Sequence, residues 1–126
     1  MTLGSLFDGS GGFPLAAGEK SIEEYDKMID IDYIREIRER VPAAALYEQL
    51  AEECVELAHA ALKMARYLRG ENPTPLTEEQ IRDSLAEEAS DVHIVAKILD
   101  IKGEPFIVNL KLIRWHDRLA ERSVKE

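Results

Sequence analysis

One short phrase occurs twice in this chain: Leu-Ala-Glu-Glu-Cys-Val-Glu-Leu at 50–57 and Leu-Ala-Glu-Glu-Ala-Ser-Asp-Val at 85–92. Subtracting the starts (85 − 50) gives an offset of 35 residues. Each copy sets a pair of acids, and a third acid three positions after the second, into an otherwise apolar helical stretch. Two helices carrying the same phrase can face each other and pool their carboxylates, so the fold must either solvate those groups or compensate them.

The helical reading comes from capping and breaking residues. Ser21 with Glu24 forms a capping box, and Ile22, Tyr25, Ile29, Ile34, Ile37 and Val41 give a first helix its apolar side. Pro42 ends that helix or starts the next. A second helix is expected over 43–69, stopped by Gly70. The run Gly70-Glu-Asn-Pro-Thr-Pro-Leu76 is rich in breakers. Thr77 and Gln80 make another capping box and open a third helix to about Ile101, with Gly103 as its stop. Pro105 suits a first helical turn, and a fourth helix runs to about Ser123. No segment reads as a strand. The expected fold is all-α, a four-helix bundle with short connections over residues 21–126, preceded by an irregular, Gly-rich extension over residues 1–20.

On a helical wheel, Leu46, Leu50, Cys54, Leu57, Ala61, Met64 and Leu68 form the apolar stripe of the second helix, and Glu53 falls roughly 50° from its centre. In the third helix the stripe is Ile81, Leu85, Val92, Val95, Ala96 and Leu99, with Glu88 roughly 40° off. Glu56 and Asp91 lie further out on the same sides, and Glu52 and Glu87 further still. An unpaired carboxylate at a core edge costs several kcal/mol, and several converging would repel one another and hold protons at neutral pH. A divalent cation removes both difficulties. All-oxygen ligation with room for water suits Mg²⁺, then Mn²⁺, and acids at i and i+3 can grip one ion or two neighbouring ions.

The order Glu52-Glu53-x-x-Glu56, loop, Glu88-x-x-Asp91 resembles the signature of MazG-like nucleoside triphosphate pyrophosphohydrolases, within the all-α NTP pyrophosphohydrolase superfamily. The resemblance covers about residues 21–126. Asn109-Leu-Lys111-Leu-Ile-Arg114 is similar to the Asn-x-Lys-x-x-Arg run that follows in those proteins. The resemblance implies Glu53, Glu56, Glu88 and Asp91 as Mg²⁺ ligands, and Glu52 as an outer acid or the catalytic base. It implies Lys111 and Arg114 as contacts to substrate phosphates, with Asn109 nearby. It further implies hydrolysis of an NTP or dNTP between the α and β phosphates, giving NMP and pyrophosphate, by a homodimer or homotetramer with sites near subunit contacts. Tyr47, Tyr67 and Trp115 are the aromatics that could stack on a base, though core or interface roles suit them better.

Other readings are weaker. A di-iron carboxylate bundle needs Glu-x-x-His on two helices; Glu56-Leu-Ala-His59 supplies one, but His93 and His116 do not complete a second. A non-catalytic helical interaction module, with the acids as a solvated surface, needs no metal at all. Leu6-Phe-Asp-Gly-Ser-Gly-Gly-Phe-Pro-Leu15 resembles the first motif of DNA cytosine-5 methyltransferases, a Gly-rich turn that holds S-adenosylmethionine. That turn works between a strand and a helix of an α/β domain, which nothing downstream provides. Cys54 follows Glu53 where such an enzyme has Pro-Cys. The segment reads as a fusion or start-site remnant, flexible or incidentally packed.

The formal net charge of −9 disfavours nucleic acid or an anionic membrane as the main partner. A phosphate substrate remains compatible if metal ions stand between. With the single cysteine Cys54, no intrachain disulfide is possible. No apolar run approaches the ~20 residues of a membrane span, and the N-terminus lacks a secretion signal. A cytoplasmic location is the expectation.

Overall fold

The computed structural model describes residues 29–71 and 75–125, and these contain helices and connections but no strand. The helices are α1 (Ile31–Arg40), α2 (Ala43–Arg69), α3 (Glu78–Ile98) and α4 (Pro105–Lys125). The fold is all-α, as expected. The Gly-rich extension, the boundary at residues 20 and 21, the Ser21–Glu24 capping box, Ile22 and Tyr25 lie outside the described residues. No helix among the described residues is long and apolar enough to cross a membrane.

Local chemistry accounts for most of the boundaries. The first helix does not run unbroken from Ser21, because Ile29 is a bend and Asp30 caps α1. The Asp30 side chain accepts from the backbone N–H of Asp32 at 3.0 Å and of Tyr33 at 3.1 Å. Val41 is extended, as a residue before proline must be, so Pro42 both ends α1 and stands at the N-cap of α2. Thr77 and Gln80 form the reciprocal capping box foreseen for α3. Pro105 opens α4, with the Glu104 carboxylate accepting from Ile107 N at 2.9 Å.

Both long helices end in the same motif. At the end of α2, Gly70 adopts φ 68°, Gly70 N donates to Tyr67 O, and Glu71 N donates to Arg66 O. At the end of α3, Asp100 N donates to Lys97 O and Ile101 N to Ala96 O, again the paired bonds of a Schellman cap. The left-handed residue there is Asp100, at φ 58°. The expected stop at Gly103 is therefore displaced: α3 closes three residues earlier on an aspartate, a residue type that tolerates this conformation at some cost.

α2 and α3 form an antiparallel hairpin. Leu46, near the start of α2, clusters with Ile98, at the end of α3, while Ile34, Ile37, Val41 and Leu99 pack against that pair. α1 thus lies over the open end of the hairpin. Arg38 Nε donates to Ile98 O at 2.8 Å, filling one of the carbonyls that the last turn of α3 leaves free. α4 packs differently, since every residue from Ile101 through Arg122 is exposed, including Phe106 at 73% and Trp115 at 65%.

The buried line shares Leu46, Ile81 and Val95 with the apolar stripes but is turned away from their centres. On α2 it runs through Leu46, Gln49 and Glu53, whereas Cys54, Ala61 and Leu68 are exposed. On α3 the fully buried residues are Ile81, Val95 and Ile98. The face of α2 turned to α3 is thus centred near Glu53, roughly 50° from the stripe.

The Asp100 cap yields a stability prediction. Asp100→Gly relieves the positive φ and removes a negative charge from a helix C-terminus, so it should stabilise by about 0.5–1 kcal/mol. Asp100→Val should destabilise. Thermal melts of the two variants against wild type check both signs.

Candidate metal centre

The rotation of α2 and α3 carries the repeated acids into the hairpin interface. Glu53, Glu56, Glu88 and Asp91 each offer a carboxylate oxygen, and these oxygens all lie within 4.8 Å of one another. Glu53 is buried at 2% exposure, Glu88 and Asp91 are half-buried, and Glu56 opens to solvent. The i, i+3 spacing inside each phrase puts two acids on one helix face, and the antiparallel pairing sets the two faces together. This quartet can hold a metal ion. It is the ligand set implied by the resemblance.

Burial and mutual repulsion dominate the electrostatics of the four acids. Gln49 Nε2 donates to Glu53 Oε1 at 2.6 Å. Among the described residues, Glu53 Oε2, Glu87 Oε1 and Glu88 Oε2 are buried with no hydrogen-bond partner. Burial chiefly pushes Glu88 up from an ordinary 4.5 to about 7, helped by a hydrogen bond with Glu56 and by the charges of Glu56, Asp91 and Glu53. Burial also raises Glu53, opposed by the Gln49 hydrogen bond and reinforced by Glu56 and Asp91. Asp91 is raised by burial and then by Glu56 and Glu87. Buried acceptors with no donor, and acids that hold protons toward neutral pH, are what a bound cation would relieve.

The remaining candidates fall elsewhere. Glu52 is exposed and outside the quartet. Glu87 departs from the expectation that the first acid of each pair points away: it is half-buried with one orphaned oxygen, and its charge acts on Asp91. It lies on the same flank of α3 as buried Ile98, so the turn of that helix toward its acids draws it inward. Asn109, Lys111 and Arg114 sit on exposed α4 and are not gathered to the quartet. Among the described residues, no histidine joins the cluster. His93 is exposed, and His116 Nδ1 lies 3.3 Å from its neighbour Asp117. Tyr47 and Trp115 are exposed and Tyr67 is half-buried.

Sequence reasoning passed over several neighbours. Gln49 is four residues before Glu53 on the same helix face, and that spacing was the available signal. Beside the quartet lies an open cleft of about 250 Å³ lined by Glu56, His59, Ala60, Lys63, Ser84 and Glu88. Lys63 is two helical turns beyond Glu56 and Ser84 one turn before Glu88, so the wheel that found the acids would also have found these.

Comparison of the chain with family models, curated proteins and solved structures finds no match.

The upward shifts predict an unusual pH dependence. The folded, metal-free protein binds protons that the unfolded chain releases, so this contribution to stability is full below the ordinary carboxylate range. It is lost as pH rises from about 4.5 through about 7, where Glu88 ionises. In a chelating buffer the melting temperature should fall across that interval, and Glu88→Gln should flatten the fall. A melting temperature that rises with pH in wild type would contradict the assignment.

Proposed function

We propose that the protein is a Mg²⁺-dependent nucleoside triphosphate pyrophosphohydrolase of the all-α, MazG-like type, cleaving between the α and β phosphates. The observation that carries the reading is the convergence of Glu53, Glu56, Glu88 and Asp91 across the hairpin, with Glu53 buried and one of its oxygens orphaned. An octahedral Mg²⁺ shell spans roughly 4.2 Å between opposite oxygens. The quartet therefore needs only side-chain adjustment to close on such an ion. All four ligands are hard carboxylates and Glu56 opens to solvent, which suits a cation that keeps part of its water. When bound, the ion would neutralise phosphate charge and lower the pKa of a coordinated water.

The residues would divide the work. Glu53, the one fully buried acid of the quartet, would fix the ion together with Glu88, with Gln49 orienting Glu53 through its 2.6 Å hydrogen bond. Glu56 and Asp91 would complete the shell. Water would add to the α phosphorus as the bond to the bridging oxygen breaks, pyrophosphate leaves, and a carboxylate takes the water's proton. Glu52 keeps the proposed role of base by its place next to Glu53 in the chain, not by contact with the quartet. Lys111 and Arg114, with Asn109, reach a substrate only if an α4 lies over a hairpin. A second copy would supply that helix and cover the apolar side chains that α4 and the outer face of α2 leave exposed, Leu68 at 67% among them. A homodimer or homotetramer is therefore part of the proposal.

The test is pyrophosphate release from a panel of NTPs and dNTPs with Mg²⁺, comparing wild type with Glu53→Ala and Asp91→Ala. The reading expects NMP and pyrophosphate from wild type, and a loss of at least about 100-fold in each variant. Equal rates in all three, or inorganic phosphate as the sole inorganic product, would refute it.

A further inference from the structure

We propose that the cleft beside the acid quartet is a polyphosphate subsite, and that Lys63 is the side chain that holds the departing pyrophosphate. The proposal deepens the pyrophosphohydrolase reading by naming where the leaving group sits, and it rests on that reading.

The cleft shares two walls with the metal centre. Of its six described lining residues, Glu56 and Glu88 belong to the quartet, while His59, Ala60, Lys63 and Ser84 continue away from it. Along α2 the positions 56, 59, 60 and 63 follow i, i+3, i+4 and i+7 spacing and so share one helix face. Lys63 begins about 10 Å further along the axis than Glu56, and side chains on a helix lean toward its N-terminus. Its stem is therefore directed back over Ala60 toward Glu56. Ala60 is the smallest residue of that wall and leaves the space between them open. Across the cleft, Ser84 stands one turn before Glu88 on α3 and leans toward the far end.

The chemistry of this lining selects its occupant. Among the described residues no Trp, Tyr or Phe lines the cleft, so these residues offer a nucleobase no stacking platform there. Among its described lining residues Lys63 is the only lysine or arginine, and it shares the cleft with two acids of the quartet, Glu56 and Glu88. An anion enters such a space when a cation on the quartet offsets the carboxylates and an ammonium meets the far end. Polyphosphate has that form: one end can share the ion, and the other can reach Lys63, the Ser84 hydroxyl and the His59 imidazole. When the bond between the α phosphorus and the bridging oxygen breaks, its electron pair stays on the departing pyrophosphate. The new charge forms on the former bridging oxygen and raises the total charge of the pyrophosphate, the part of the chain that Lys63 would hold. Lys63 and Ser84 thus supply, within one chain, a phosphate contact distinct from the basic residues of α4.

The experiment measures binding of inorganic pyrophosphate to the full-length protein in Mg²⁺ by calorimetry, for wild type, Lys63→Met and Lys63→Arg. Lys63 is exposed, so the variants should keep the wild-type melting temperature and the wild-type Mg²⁺ affinity. The expected result is about tenfold weaker pyrophosphate binding in Lys63→Met, partly restored in Lys63→Arg. The KM for a cleaved NTP should rise to a similar extent. Equal pyrophosphate affinity in wild type and Lys63→Met overturns the proposal, as does a wild type that fails to bind pyrophosphate. Lys63-dependent pyrophosphate binding in a protein that releases pyrophosphate from no NTP would support the subsite and sink the hydrolase reading, so the two failures are distinguishable.

Discussion

The contact on which the hairpin turns is the burial of Glu53 against α3. A carboxylate at 2% exposure, with one oxygen held by Gln49 and the other without a donor, is an expensive group to place between two helices. More apolar surface was available. Leu50, Cys54, Leu57, Ala61 and Leu68 form a continuous stripe about 50° away, and a hairpin built for stability alone would turn that stripe inward. Instead the stripe is half open, and the acids of both repeats converge. α1 compensates at the open end, where Ile34, Ile37 and Val41 cover Leu46 and Ile98 and Arg38 caps a carbonyl of α3. The small apolar core thus sits beside the acid cluster and holds it in place.

Much of this was legible from residue order because capping is local chemistry. The Thr77–Gln80 box, the Gly70 stop and the two proline starts each depend on a few neighbouring atoms, and all occur where the spacing placed them. The quartet was legible for a related reason: i, i+3 spacing fixes which acids share a helix face, and the repeat states it twice. What was not legible depends on non-local competition. Asp30 opens α1 because its side chain captures two N–H groups, a choice that the apolar periodicity through Ile29 conceals. Asp100 takes the left-handed position ahead of Gly103, although glycine is the better residue for it.

The rotation of the helices was the largest hidden quantity. An apolar stripe marks the face that avoids water, but it does not say which neighbour covers it. In this chain α3 takes the acidic edge of α2, leaving much of the stripe exposed or half-buried. The same rotation explains Glu87, which the wheel set outside and the fold draws half inward. It also explains why the cleft residues Lys63 and Ser84 stand beside the acids. α4 was readable as a helix yet not in its placement, because nothing in its amphipathic pattern separates packing within a chain from packing between chains.

If the quartet exists to hold a divalent cation, the ion must displace protons that burial keeps on the carboxyls. Calorimetric titration of the chelator-stripped protein with Mg²⁺ near pH 6.5, repeated in buffers of different ionisation enthalpy, measures affinity and proton release together. Saturable binding with net proton release, both lost in Glu53→Gln, is the expected result. Absence of saturable binding, or binding that is unchanged in Glu53→Gln, would contradict it.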